Sequence, residues 1–342
     1  MSFLKQDVRK RIFSVLLCCV ILPLTACAPK YKVPEIKAEY YPQCVQPFKE
    51  LAEAQKALVT RTVASAALGA AGGALIGVLT TGKLEGALLG GLAGGLMGGT
   101  VGYSTGKQQQ IADVQARLRS YRTDMRTDIS NMSRVELYAT LSLQCYVREF
   151  RGLLVQYKGK QVSREEFKKR YGEINTGMKQ ISGLLDEAYA QAVQRDQEFR
   201  QALASERTLA KHNPKNNRTL EAAARKNSRQ DRAIARAGSL NDMSTLIAKQ
   251  QKASEANVAK QEKLLTQTLE SNTNTNLDAL SNDFDSEYTA TTVKIASTKA
   301  MYAKTLDIMN DSAEKAGIDM VELDRRIEVV EGGDFSPALQ CL

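Results

Sequence analysis

Apolar residues recur along most of this chain at steps of three and four, the period of a helix with one buried face. Leu51, Ala54 and Leu58 mark a first stripe over 48–62. After Lys107, the residues Ile111, Val114, Leu118, Tyr121 and Met125 trace a coiled-coil seam. Ser130-Asn131-Met132-Ser133, with Glu136 three residues beyond Ser133, predicts a break followed by a capping box. Leu143, Val147, Phe150, Leu154 and Tyr157 form the next stripe, which ends at the basic turn Lys158-Gly159-Lys160. Ser163 with Glu166 predicts another capping box. It opens a helix whose Phe167, Tyr171, Ile174, Met178, Ile181, Leu185, Ala188 and Ala192 hold a heptad seam, softened by Gly172, Gly177 and Gly183. The pattern fails over 209–238 and resumes after Ser239 and Asp242. The stretch 243–292 is thinly apolar, and Ile295, Met301, Ile308, Met309, Ile318 and Ile327 carry a fuller stripe until Gly332-Gly333 ends helix formation. The predicted class is all-α, with the helices packed in a bundle or paired between chains.

The segment 62–106 follows a different rule. No charge occurs between Arg61 and Lys83, nor between Glu85 and Lys107. Each uncharged stretch has about the 20 residues that one transmembrane helix needs, with a polar turn at 81–85 between them. Gly69, Gly73 and Gly77 recur at every fourth position in the first; Gly86, Gly90, Gly94, Gly98, Gly102 and Gly106 do so in the second, beside a parallel row at Gly91, Gly95 and Gly99. In water each Gly weakens a helix by about 1 kcal/mol relative to Ala. In lipid the unpaired backbone is so costly that a short apolar span must be helical, and glycines four apart let two backbones touch. A flexible linker would carry Ser, Thr and charges and would not keep phase. The two rows on the second helix offer one face to its hairpin partner and another to a neighbouring subunit.

These residues resemble the glycine-zipper hairpins of SlyB-like outer-membrane lipoproteins and, more loosely, TraT-like surface-exclusion proteins. The resemblance covers 62–106 alone and implies ring-like homo-oligomers. The N-terminus fits the same setting. Lys5, Arg9, Lys10 and Arg11 precede the apolar run 12–24, which is short for a membrane span and describes a secretory signal. It ends in Leu24-Thr25-Ala26-Cys27, which resembles the bacterial lipobox. That resemblance implies a diacylglycerol and an N-acyl chain (palmitate among them) on Cys27, and Ala28 in place of an acidic residue implies sorting to the outer membrane. Two or more acyl chains hold a protein stably where one does so only marginally.

The expected organisation is a signal at 1–26, a lipidated Pro-rich tether at 27–47, a helix and transmembrane hairpin at 48–106 and a helical or coiled-coil domain at 107–208. A basic linker at 209–238, a C-terminal helical region at 239–331 and a tail at 332–342 complete it. Loss of 1–26 removes four bases and one acid, so the net charge falls from +9 to +6. The 201–240 stretch holds nine Lys or Arg against three acids. It has no interleaved aromatics, so it reads as a solvated linker near anionic headgroups rather than as a nucleic-acid site.

Composition narrows the chemistry. With no Trp, aromatics at 6% and one His, His212, the chain holds no His-based metal cage and no Ser/His/Asp set. No phosphate-cradling loop precedes a Lys-Ser or Lys-Thr pair. Asp283, Asp285 and Glu287 read as a solvated helix face rather than a carboxylate pair. We expect no enzyme, no metal, no cofactor beyond the lipid on Cys27, no small-molecule substrate and no nucleic acid; the expected partners are the membrane, further copies of the chain and envelope proteins.

An oxidising periplasm favours pairing among the remaining thiols Cys44, Cys145 and Cys341. Cys44 lies at most roughly 27 Å above the hairpin base by helical rise. A chain that turns back at 130–133 brings Cys145 down to a similar height, roughly 20 Å, which favours Cys44–Cys145. Cys145–Cys341 is the competing pair, and free thiols are a third outcome.

The expected function is a non-enzymatic outer-membrane lipoprotein, most of it periplasmic, that scaffolds an envelope assembly, a secretion or conjugation machine being one candidate. The alternative is a membrane-active, pore-forming or surface-exclusion zipper protein. If the in-phase glycines pack helices, Gly94→Leu and Gly98→Leu will dissociate the oligomer while lipidation persists. Native mass spectrometry checks this, and a monomeric unsubstituted protein would sink it.

Overall fold

The two longest helices among the described residues have 45 and 46 residues, each about 68 Å by helical rise. They belong to a computed structural model that describes residues 38–60, 103–209, 220–271 and 273–318, all within one compact unit, Val33–Ile327. Every regular element among the described residues is helical. Cys27, the zipper residues Gly69, Gly73, Gly77, Gly86, Gly90, Gly94, Gly98 and Gly102, and His212 and Cys341 lie outside them. Among the described residues no helix is long and apolar enough to cross a membrane.

A 3-10 turn at Pro42–Cys44 leads into helix α1 (45–60). Helix α2 (103–110) is followed by a break at 111–113, α3 (Val114–Lys158), α4 (Arg164–Leu209), α5 (Leu220–Arg236), α6 (Leu240–Glu270), α7 (Leu277–Asp283), a π-helical turn (Phe284–Tyr288) and α8 (Thr289–Lys315). Helix α3 packs against α6, α4 and α8; α8 also covers α4 and α5. The heptad seam of α4 is the core, since Phe167, Tyr171, Ile174, Met178, Ile181, Leu185, Ala188 and Ala192 are all buried.

Two caps form where the sequence places them. The Ser163 hydroxyl accepts from the Glu166 N–H at 3.1 Å, and Ser239 with Asp242 makes a reciprocal capping box at the start of α6. The third does not form, and α3 runs unbroken through Ser130–Ser133. Its would-be capping groups are used sideways. The Ser133 hydroxyl accepts from Asn257 Nδ2 at 2.8 Å, and the Glu136 carboxylate accepts from Gln250 and from Ser254 Oγ at 3.0 Å, all on α6. Burial raises the Glu136 pKa despite these donors.

The chain reverses instead at 111–113, where the Arg117 guanidinium donates to the carbonyls of Ile111 and Ala112, each at 2.8 Å. Helix α2 therefore lies against the first turns of α3, with Tyr103 bonded to Asp124 and Lys107 to Ser120. The expected coiled-coil seam thus starts late: Ile111 sits in the break, Val114 is exposed and Leu118 is the first buried member.

Other boundaries also move. The tether expected to run extended to residue 47 turns helical at 45; Pro47 falls in the first turn, where its missing N–H has no intrahelical acceptor to leave empty. The expected 243–292 helix is interrupted between α6 and α7 and again by the π-helical turn before α8. At the first interruption Ser271, Thr273 and Asn276 compete for backbone hydrogen bonds, and Asn276 caps α7 by accepting from the N–H groups of Asp278 and Ala279. Within the basic stretch expected to be a linker, 220–236 is helical. Ile234 is its buried anchor, and Asn227 donates to Ser297 of α8 at 2.7 Å.

A core with few large apolar residues accepts hydroxyls, and α8 satisfies its own. Thr291, Thr292, Thr298 and Thr305 each donate to the carbonyl four residues back, so they are buried without an orphaned donor. Close helix approach does the rest at Gly177, where a Cβ would stand 2.5 Å from the Tyr146 ring carbon Cζ. Gly177→Ala is expected to lower stability by about 1–3 kcal/mol in urea unfolding; an unchanged midpoint would mean that Tyr146 swings aside freely.

Candidate functional site: two docking points flanking the glycine-rich segment

The described residues on either side of 61–102 are both fixed to the bundle, by different chemistry. On the N-terminal side, the Glu173 carboxylate of α4 accepts from three consecutive backbone N–H groups, those of Glu39, Tyr40 and Tyr41, at 2.9, 2.8 and 2.9 Å. Hydrogen bonds from backbone N–H groups to a carboxylate are charge-assisted and stronger than those between neutral groups. The Tyr40 ring lies 5.5 Å from the Arg170 guanidinium, a cation–π contact. Next along the chain, Cys44 is bonded to Cys145 of α3, with their Cα atoms 5.6 Å apart and a separation of 101 in sequence. Phe48, Leu51 and Leu58 of α1 are buried beyond the bond.

On the C-terminal side, α2 inserts Tyr103 into a layer of buried charge. The glycine spacing places this residue within a transmembrane hairpin extending to 106; 103–106 instead begin the docked helix. The Tyr103 hydroxyl donates to Asp124 Oδ2 at 2.7 Å. Its ring lies 4.7 Å from the Arg195 guanidinium, which also sits 4.6 Å from the Phe199 ring. Arg195 is 3% exposed and donates to Asp128 at 3.0 Å and to Glu198. Burial, the largest single influence, works against its charge, but Asp128, Tyr103, Glu198 and Tyr288 together outweigh it, so its pKa is raised. Lys107 reaches Asp124 at 3.0 Å, and Gln108 reaches Ser205 of α4 at 2.8 Å.

The π-helical turn supplies the far wall of this layer. The Thr289 N–H bonds the Phe284 carbonyl five residues back, which widens the turn. Phe284 and Tyr288 stack at 5.1 Å and close on Phe199 at 5.7 and 5.4 Å. The same turn presents acids. Asp283 and Glu287 receive Arg126 of α3, and Asp285 receives Arg200 of α4 at 3.0 Å. Asp283, Asp285 and Glu287 are therefore ion-pair partners at a helix junction, not the solvated face that helical periodicity suggests. Below them Arg117 forks onto Glu206 at 2.8 and 3.0 Å.

This arrangement locks helices in register. Buried pairs contribute little net stability against an apolar alternative but strongly penalise loss of one partner. The acids face arginines rather than one another, and among the described residues no cluster of His, Cys, Asp and Glu is built to hold a metal ion. The docking residues Glu173, Tyr103 and Arg195 carry no sequence motif. The one visible hint is Tyr103, an aromatic at the end of the glycine row.

Residues 8–106 match the YMGG-like Gly-zipper family. The match covers the N-terminal run and the whole glycine-rich segment, supports the glycine zipper and points to membrane association. Neither a curated protein nor a solved structure matches the chain.

Arg195→Met leaves Asp128 and Glu198 buried without their cation. It is expected to destabilise the bundle by about 3–5 kcal/mol, read as a lower urea midpoint. A loss below 1 kcal/mol would show that the layer is wet and does not fix α2.

Proposed function

We propose that this chain is a non-enzymatic, outer-membrane lipoprotein that assembles with copies of itself through its glycine zipper and presents its helical body in the periplasm as a scaffold for an envelope assembly. The observation that carries the reading is the double fixation of the zipper's flanks. A pore-forming segment needs freedom to insert and rearrange, whereas a segment tied at both ends to one body transmits position and load between membrane and bundle. The family match over 8–106 supports the zipper. The Cys44–Cys145 bond suits an oxidising compartment, and the sequence Leu24-Thr25-Ala26-Cys27 supports lipidation at Cys27. In this reading the lipid is the sole covalent addition, the chain turns over no substrate, and its partners are lipid, its own copies and envelope proteins.

The test has two arms. Cys27→Ala is expected to leave the signal uncut and to abolish labelling by radioactive palmitate; unchanged labelling would contradict the lipid anchor. Purified protein in liposomes is expected to insert without releasing a trapped dye. Rapid release would sink the scaffold and favour the pore-forming alternative.

A further inference from the structure

Beside the docked α2, the outer face of α3 and the loop between α6 and α7 enclose a groove of about 310 Å³. Its walls include Arg119, Arg122 and Thr123 from α3, with Thr268, Thr273 and Thr275 opposite. Two features separate it from an ordinary solvated cleft. Arg119 and Arg122 stand three residues apart, on one side of the helix, and neither makes an ion pair or a side-chain hydrogen bond among the described residues, whereas Arg117 and Arg126 on the same helix are paired. Thr275 is 4% exposed, yet its hydroxyl has no hydrogen-bond partner, although its backbone N–H donates to Gln115 at 3.0 Å. Ser120, also in the wall, receives Lys107 Nζ at 2.6 Å, and Lys107 is itself paired with Asp124 at 3.0 Å, so the uncompensated charge at the groove is that of the two arginines.

A buried hydroxyl without a partner forfeits about 1–3 kcal/mol, and two neighbouring guanidiniums without acids repel each other. One kind of ligand relieves both. It carries oxygens in a tetrahedral or planar set that accept from two arginines and a hydroxyl, and it is anionic. Arginine forks match phosphate in this way. No aromatic ring lines the groove, which disfavours a neutral sugar or a nucleobase as the main contact. We infer that this groove is a binding site for a phosphate ester of about the size of a glycerophosphate group, held by Arg119, Arg122 and Thr275. Leu269, 64% exposed, stands at its edge and suits the first carbons of an acyl chain. Lipid headgroup and free ester therefore share the chemistry.

The inference does not rest on the scaffold reading and is tested separately from it. Full-length protein in non-ionic detergent is titrated by calorimetry with glycerol 1-phosphate and with dioctanoyl phosphatidylglycerol. Saturable binding of either is expected, weakened at least about tenfold by the double variant Arg119→Gln, Arg122→Gln and unchanged by Arg148→Gln, whose side chain is exposed and paired elsewhere. Thr275→Val is expected to weaken binding without lowering the thermal midpoint, which separates ligand loss from misfolding. Tighter binding of the phosphatidylglycerol assigns the site to a lipid headgroup, and equal binding assigns it to the soluble ester. Absence of saturable binding, or binding that survives the double arginine variant, overturns the site.

Discussion

A guanidinium buried among rings needs its counter-charge, and Arg195 imposes that condition on most of the bundle. Its partners lie on α3 and α4, and the rings against it come from α2 and α4. Phe199 passes the contact on to the π-helical turn. Removing any one of these elements leaves charge or aromatic surface exposed to a low-dielectric gap. Arg117, Arg126 and Arg200 repeat the device at neighbouring levels. A chain with no Trp and aromatics at 6% thus specifies helix register with ion pairs where a richer core would use shape alone.

The division along the bundle follows. Around Cys44 and Cys145 the interior is aromatic and apolar, with Phe150, Phe167 and Tyr171 in mutual contact at 5.0–6.4 Å. Around Tyr103 it is ionic. The first region resists water by packing, the second by matched charge. Gln55 of α1 fits neither pattern, because it is fully buried with both amide atoms unpartnered.

Much of the fold is legible in the sequence where one face of a helix decides the matter. The α4 seam and the boundaries at Lys158–Lys160 and Ser239 follow from period and cap chemistry. Legibility fails where a polar residue has a distant partner. Ser133 and Glu136 look like a capping box until Asn257, Gln250 and Ser254 arrive from more than 110 residues away. Ser130–Ser133 suggests a reversal of the chain that would bring Cys145 to Cys44, but the structure places the reversal at 111–113, where Arg117 ties down two carbonyls. The π-helical turn is hidden for another reason. One extra residue in a turn shifts the face of everything after it, so Asp285 and Glu287 look solvated to any count that assumes 3.6 residues per turn. Likewise, α5 has too few large apolar residues to announce itself, and its docking rests on Ile234 and on hydrogen bonds to α8.

The Cys44–Cys145 bond also changes the connectivity of the chain. It closes a covalent ring around residues 45–144, and the whole glycine-rich segment is part of that ring. A single peptide-bond cleavage anywhere within it opens the ring without dividing the molecule. Residues before Cys44 then remain joined to the helical body through sulfur, so cleavage within the segment frees the N-terminal region only if the disulfide is also reduced.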